Sequence, residues 1–196
     1  MDREYDPLPI RELGVDAGFR RPTQPQAQRV DIESPALQVM TDLSRVSPAT
    51  IRPQAPLGGA NQFMITRGVR LLLVIDDDET VLGVITATDI LGEKPMLAAT
   101  GRGLRRDELT VADVMTPAAQ VEVIAFADVQ GARVGHILET LRRAGRQHAL
   151  VVEPAAGRSM VRGIFSLSQL ARQLGITLPS GGEVARTFSE IESAIK

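Results

Sequence analysis

Hydrophobic positions along the chain fall into two blocks, each with the same order of helical stripes and short continuous runs. In the first block Leu71 to Ile75 is an unbroken apolar run that ends in the acidic turn Asp76-Asp77-Asp78-Glu79, and Val81 to Ile85 is a second run. Two apolar runs joined by a polar turn predict a β-hairpin buried on both faces. Upstream, Leu57, Ala60, Met64 and Ile65 mark one face of a helix from Leu57 to Arg67 that stops at Gly68, since glycine takes the left-handed conformation that commonly ends a helix. Downstream, Thr86, Thr88 and Asp89 stand where the second run gives way to Ile90-Leu91. Their side-chain oxygens suit a strand-to-helix corner, where backbone amides lie open to a ligand. The second block repeats this more clearly: Val134, Ile137, Leu138 and Leu141 make a helical stripe, Arg142 and Arg143 fill its last turn, and Gly145 terminates it.

The two blocks are a repeat. The segment from Val39 to Leu91 recurs from Val114 to Ala171 with a period of about 75 to 80 residues. Val39-Met40-Thr41 matches Val114-Met115-Thr116, Leu73-Val74-Ile75-Asp76 matches Leu150-Val151-Val152-Glu153, and Gly83-Val84-Ile85-Thr86-Ala87-Thr88-Asp89 matches Gly163-Ile164-Phe165-Ser166-Leu167-Ser168-Gln169. Each repeat therefore reads as a β-α-β-β-α unit. A unit of roughly 60 residues buries too little surface to be secure alone, so the two should pack sheet to sheet as one α/β (α+β) body with pseudo-twofold symmetry. The expected organisation is an N-terminal arm over 1–33, the first repeat over 34–100, a linker over 101–107, the second repeat over 108–178 and a C-terminal amphipathic helix over 179–196.

Composition narrows the function. Apolar residues make up 43% of the 196 and aromatics only 3%, with no Trp, so the core must be built of Val, Leu, Ile and Ala. Without cysteine there is no disulfide, no thiolate metal site and no Cys nucleophile. The two histidines, His136 and His148, have no ligand spacing, and no metal site is expected. A net charge of -2 gives no electrostatic footprint for nucleic acid or anionic membrane. The charged N-terminus is no signal peptide and no apolar stretch is long enough to span a bilayer, so a cytoplasmic location is expected.

The Val-Met-Thr openers, the apolar strand ending in Asp76 or Glu153, and Gly83-x-x-Thr86-x-Thr88-Asp89 are weak motifs singly, but they occur twice in one order. On these residues the chain resembles the CBS-domain pair, the regulatory module named for cystathionine β-synthase, over about Ser34 to Pro179. The resemblance implies a cleft between the units that holds adenine nucleotides or related adenosyl compounds, and a homodimer of pairs. It also implies that Asp89 accepts hydrogen bonds from ribose hydroxyls, that Thr86 and Thr88 meet an α-phosphate, and that backbone around Thr50 and Ile51 reads the adenine edge. The opener Thr116, with Ser166 and Ser168 of the second repeat, joins the implied nucleotide-binding set. Family position further implies that the residues leading into each middle strand bring phosphate contacts, His148 with Gln147 and Arg146 beside it facing the Asp89 site and Arg70 serving the weaker site. Gln169 replaces the acid of the first repeat and lacks charge assistance, so the Asp89 site ranks as the stronger.

Plainer readings stand beside these. Asp89, Thr86, Thr88, Ser166 and Ser168 are ordinary helix-capping types. His136 reads as a helix-face residue and His148 as a residue at a strand edge. Lys94, Arg102, Arg105 and Arg106 read as a solvated charged linker. The acidic run from Asp76 to Glu79 belongs on the outer turn, where it does not repel phosphate. Pro7, Pro9, Pro22 and Pro25 make the first 33 residues an extended arm. After Pro179-Ser180-Gly181-Gly182, Val184, Phe188, Ile191 and Ile195 form an apolar stripe with Glu192 and Lys196 paired on its flank, which must dock on the body or across a dimer interface.

The expectation is a stand-alone, non-catalytic module that senses AMP, ADP or ATP, requires no cofactor, and works through an unidentified regulated protein. About 33 residues before the repeat and 17 after it are too few for an attached enzyme domain. No nucleophile-base pair or carboxylate dyad suggests catalysis. Two alternatives stay open: an S-adenosylmethionine binder, which needs no cationic phosphate clamp, and a ligand-free dimeric interaction scaffold.

Overall fold

The computed structural model describes residues 30–155, 157–176, 188–191 and 193. The arm over 1–29, the turn from Pro179 to Gly182, and Val184, Ile195 and the Glu192–Lys196 pair lie outside the described residues.

The first half comprises β1 (Thr41–Asp42), β2 (Thr50–Ile51), α1 (Leu57–Arg67), β3 (Leu71–Ile75), β4 (Val81–Thr86), α2 (Ala87–Leu91) and α3 (Lys94–Arg102). The second comprises α4 (Val111–Val114), β5 (Thr116–Pro117), β6 (Val123–Ala125), α5 (Phe126–Gln130), α6 (Val134–Ala144), β7 (His148–Ala155), β8 (Arg158–Ser166) and α7 (Leu167–Gln173). Both long helices end as their glycines predict: Gly68 at φ 64° and Gly145 at φ 61° are left-handed, and each amide closes back on the last turn.

Two four-stranded sheets result, ordered β2-β3-β4-β5 and β1-β8-β7-β6. Each half thus lends its opening strand to the other half's sheet. Thr41 pairs with Ile164 and Asp42 with Gly163, while Thr116 pairs with Val84 and Pro117 with Gly83, so the exchange is symmetric in register. This explains the glycine that begins each repeated strand motif. A β-carbon on Gly83 would collide with the Thr116 carbonyl, and one on Gly163 would collide with the Met40 side chain.

Alternation along β3 and β4 buries both faces of the sheet. Leu72, Val74 and Ile85 pack on Leu57, Ala60, Met64 and Ile90. Leu71, Leu73 and Val84 turn the other way and meet Leu150 and Ile164 of the second half. In the second half Val151 and Phe165 pack on Ile137, Leu141, Leu167 and Leu170. Phe188 and Ile191 of the C-terminal helix are buried in this same cluster, so the tail docks on its own body. The end of the arm docks there too: Val30 is buried, and the Ile32 and Ser34 carbonyls accept the Gly135 and Val134 amides that open α6. Helix α3 ends at Arg102, and the exposed arginines of the junction that follows are tied to neighbouring groups. Arg102 pairs with Asp113, Arg105 pairs with Asp107, and the Arg106 guanidinium donates to the Ile90 carbonyl. Among the described residues, no helix is long and apolar enough to cross a membrane.

Candidate functional site

Where the C-terminal end of β4 and the start of α2 meet the start of β7, a cleft of about 310 Å³ opens between the halves. Its apolar walls are Leu71 and Val84 on one side and Val121 and Leu150 on the other. Its polar lining combines Thr86, Thr88, Asp89 and Lys94 of the first half with Thr116, Glu122, Arg146, Gln147 and His148 of the second. Strand exchange is what delivers Thr116: β5 lies beside β4, so a second-half hydroxyl sits within the first-half corner.

Asp89 is held from two sides. One carboxylate oxygen, Oδ2, accepts the Thr86 amide at 2.8 Å and the Thr86 hydroxyl at 2.6 Å, and the Asp89 amide donates back to the Thr86 Oγ1 at 3.2 Å. This reciprocal capping box starts α2 and fixes the carboxylate in place. The other oxygen, Oδ1, lies 2.6 Å from the Lys94 ammonium, which also donates to the Thr116 hydroxyl at 3.2 Å. The plain and the functional readings of Asp89 are therefore compatible: one oxygen caps, and the other faces the cleft.

Opposite, His148 begins β7. Burial, reinforced by the nearby Arg70 guanidinium, drives its pKa from 6.5 down to about 4, against the opposing pull of Asp89. At neutral pH His148 is an uncharged hydrogen-bonding group, so it supplies no positive charge to a phosphate. The cations lining the cleft are Lys94 and Arg146, and Arg146 is paired with Glu122 at 3.1 Å. Arg70 is exposed near His148, outside the residues that line the cleft; its carbonyl accepts the Ala87 amide at 2.9 Å, and its guanidinium makes no hydrogen bond or ion pair with a described residue. The acidic turn is elsewhere: Asp76 to Glu79 line no part of this cleft, and Asp76 caps the turn by accepting the Asp78 and Thr80 amides. His136 is placed at the start of α6, where its Nδ1 accepts the Arg133 amide at 3.0 Å.

The corresponding corner of the second half is built differently. Ser166 and Ser168 lie 3.0 Å apart and bond each other, and the Thr41 hydroxyl donates to the Gln169 side-chain oxygen at 3.0 Å. A hollow of about 520 Å³ opens beside Thr41 and Gln169, but its other walls are Asp42, Arg45, Phe126 and Arg162 rather than the serines. Arg162 bridges Asp42 and Glu153 and lies 5.0 Å from the Phe126 ring centroid. Thr50 and Ile51 sit on β2, paired in parallel with Leu73 and Val74, and line neither hollow. The segment that does edge the Asp89 cleft is Val121 and Glu122, immediately before β6.

Sequence reasoning grouped Lys94 with the linker arginines and missed its place. The signal available was spacing: Lys94 follows Asp89 by five residues across Gly92, close enough for the chain to turn back.

Residues 37–95 match the family model described as CBS domain. A curated relative, the meiotically up-regulated gene 70 protein of Schizosaccharomyces pombe, is 33% identical over 115 residues, or 55% of this chain and 13% of that protein. The chain thus spans well under a fifth of that relative's length. Among solved structures, an uncharacterized conserved protein from Pyrococcus horikoshii is similar at 24% identity and a TM-score of 0.54, over 77% of this chain and 99% of the other. A CBS-domain containing protein from Agrobacterium tumefaciens gives 20% identity and a TM-score of 0.51 over 76% and 96%. The protein CBSX2, solved in complex with AMP, gives 20% identity and a TM-score of 0.50 over 71% and 94%.

Proposed function

Because the chain carries a CBS domain and has the fold of a CBS-domain pair, we propose that it is a non-catalytic regulatory module which binds an adenine nucleotide, AMP, ADP or ATP, in the Asp89 cleft and acts through another protein. The observation that carries this reading is the convergence, on one cleft, of Thr86, Thr88 and Asp89 with Thr116 and two cations, between apolar walls. A base would lie between Leu71, Val84, Val121 and Leu150, which remove its faces from water. The ribose hydroxyls would reach the Oδ1 side of Asp89, since Oδ2 is held by Thr86. The phosphate would find hydroxyls at Thr86, Thr88 and Thr116 and charge at Lys94, Arg146 and the neighbouring Arg70. CBSX2, which shares the fold, has been solved with AMP. S-adenosylmethionine is the second reading, favoured by the Glu122 carboxylate at the cleft margin, which suits a cationic ligand.

Calorimetric titration with AMP, ADP, ATP and S-adenosylmethionine tests both. A nucleotide at a hundredfold excess over its Kd should raise stability by about 2.7 kcal/mol, and Asp89→Ala should weaken binding at least tenfold. Tighter binding of S-adenosylmethionine transfers the site to the second reading, and no binding by any adenosine compound overturns both.

A further inference from the structure

Lys94 is the one cleft cation with a choice of partners inside the site. Its ammonium touches the Asp89 Oδ1 at 2.6 Å and the Thr116 hydroxyl at 3.2 Å, so within the first-half corner it ties α2 and α3 to the exchanged strand β5. The other lining cation, Arg146, is held by Glu122 at the cleft margin. Lys94 also stands at the first position of α3, where the partial positive charge of the helix N-terminus disfavours a cation. Helix stability therefore gives no reason for a lysine here, and the cleft does. Its side chain is 49% exposed while that of Asp89 is 13% exposed. A half-exposed ion pair of this kind is weak and readily exchanged.

We propose that Lys94 sets the charge preference of the cleft, releasing Asp89 to a ribose hydroxyl and taking a phosphoryl oxygen in its place, so that phosphorylated adenosines are selected over adenosine itself. This rests on the nucleotide reading above. It assigns Lys94 a double duty: the same ammonium that neutralises Asp89 becomes the ligand's counter-ion, and Thr116 moves within hydrogen-bond reach of that phosphate along with it.

The experiment is a comparison of AMP and adenosine affinities in the wild type, Lys94→Ala and Lys94→Arg, at low and moderate salt. The wild type should bind AMP at least tenfold more tightly than adenosine. Lys94→Ala should lose most of that preference by weakening AMP while leaving adenosine within about twofold, and should flatten the salt dependence of AMP binding. Lys94→Arg should keep part of the preference. A melting curve confirms that each variant folds. If AMP binds and the preference survives Lys94→Ala, the assignment of Lys94 is wrong and the nucleotide reading stands. If neither compound binds the wild type, both fall.

Discussion

The two halves share a backbone plan and differ in what they do with it at one corner. At the end of β4 the first half places Thr86 and Asp89, whose reciprocal hydrogen bonds start α2 and leave one carboxylate oxygen facing a cation, Lys94. At the end of β8 the second half places Ser166 and Gln169, where no side-chain cap forms, the two serines satisfy each other, and Gln169 takes the Thr41 hydroxyl. The first corner holds charge that is only partly committed. The second is closed by neutral hydrogen bonds, with Arg162 bridging two acids alongside. A ligand is invited by groups whose bonding is incomplete or exchangeable, so equal folds do not make equal sites.

The largest expected difference between the halves is in acid stability. His148 stands at the start of β7 where the first half has Leu71 at the start of β3. With its pKa lowered from 6.5 to about 4, His148 stays neutral in the folded protein while the unfolded chain takes up a proton. Stability present above pH 6.5 is therefore lost as pH falls toward 4, by up to about 3 kcal/mol. Urea unfolding at pH 7 and 4.5 should show this loss in the wild type and a clearly smaller one in His148→Gln; parallel losses would disprove it.

Next in size is the strand exchange. Gly83→Ala pushes a methyl into the rigid Thr116 backbone and should cost about 2–3 kcal/mol, whereas Gly163→Ala meets the flexible Met40 side chain and should cost about 1 kcal/mol. Chemical denaturation of both variants measures the gap, and equal costs would show that the two openers are held alike. Smallest is the cap. Asp89→Ala should remove about 1 kcal/mol through loss of the capping box, and Gln169→Ala only a few tenths.

Much of this was legible in the sequence because it is local. The ends of α1 and α6 follow from helical stripes closed by Gly68 and Gly145, and the hairpin of β3 and β4 follows from two apolar runs around an acidic turn. The exchange of β1 and β5 was not legible. Each is two residues long, too short for an alternating pattern, and its partner lies far along the chain. The cleft was legible in part: Asp89, Thr86, Thr88, Thr116 and His148 are brought together, while Thr50 and Ile51 stay on β2 beyond it. Which segment edges which cleft depends on the same non-local pairing. Lys94 was hidden because its charge resembled that of its neighbours, and only the turn into α3 brings it back to Asp89.

The symmetric loan of opening strands has a further meaning. A polypeptide half as long, meeting its own twin about a twofold axis, could make the same reciprocal pairings, since each opener contacts the position equivalent to its own partner's. Such an assembly of identical chains would be obliged to keep both corners alike. Joining the copies in one chain lifts that obligation while holding them at high effective concentration. One corner is then free to give up its acid, as at Gln169, while its counterpart keeps the full set at Asp89.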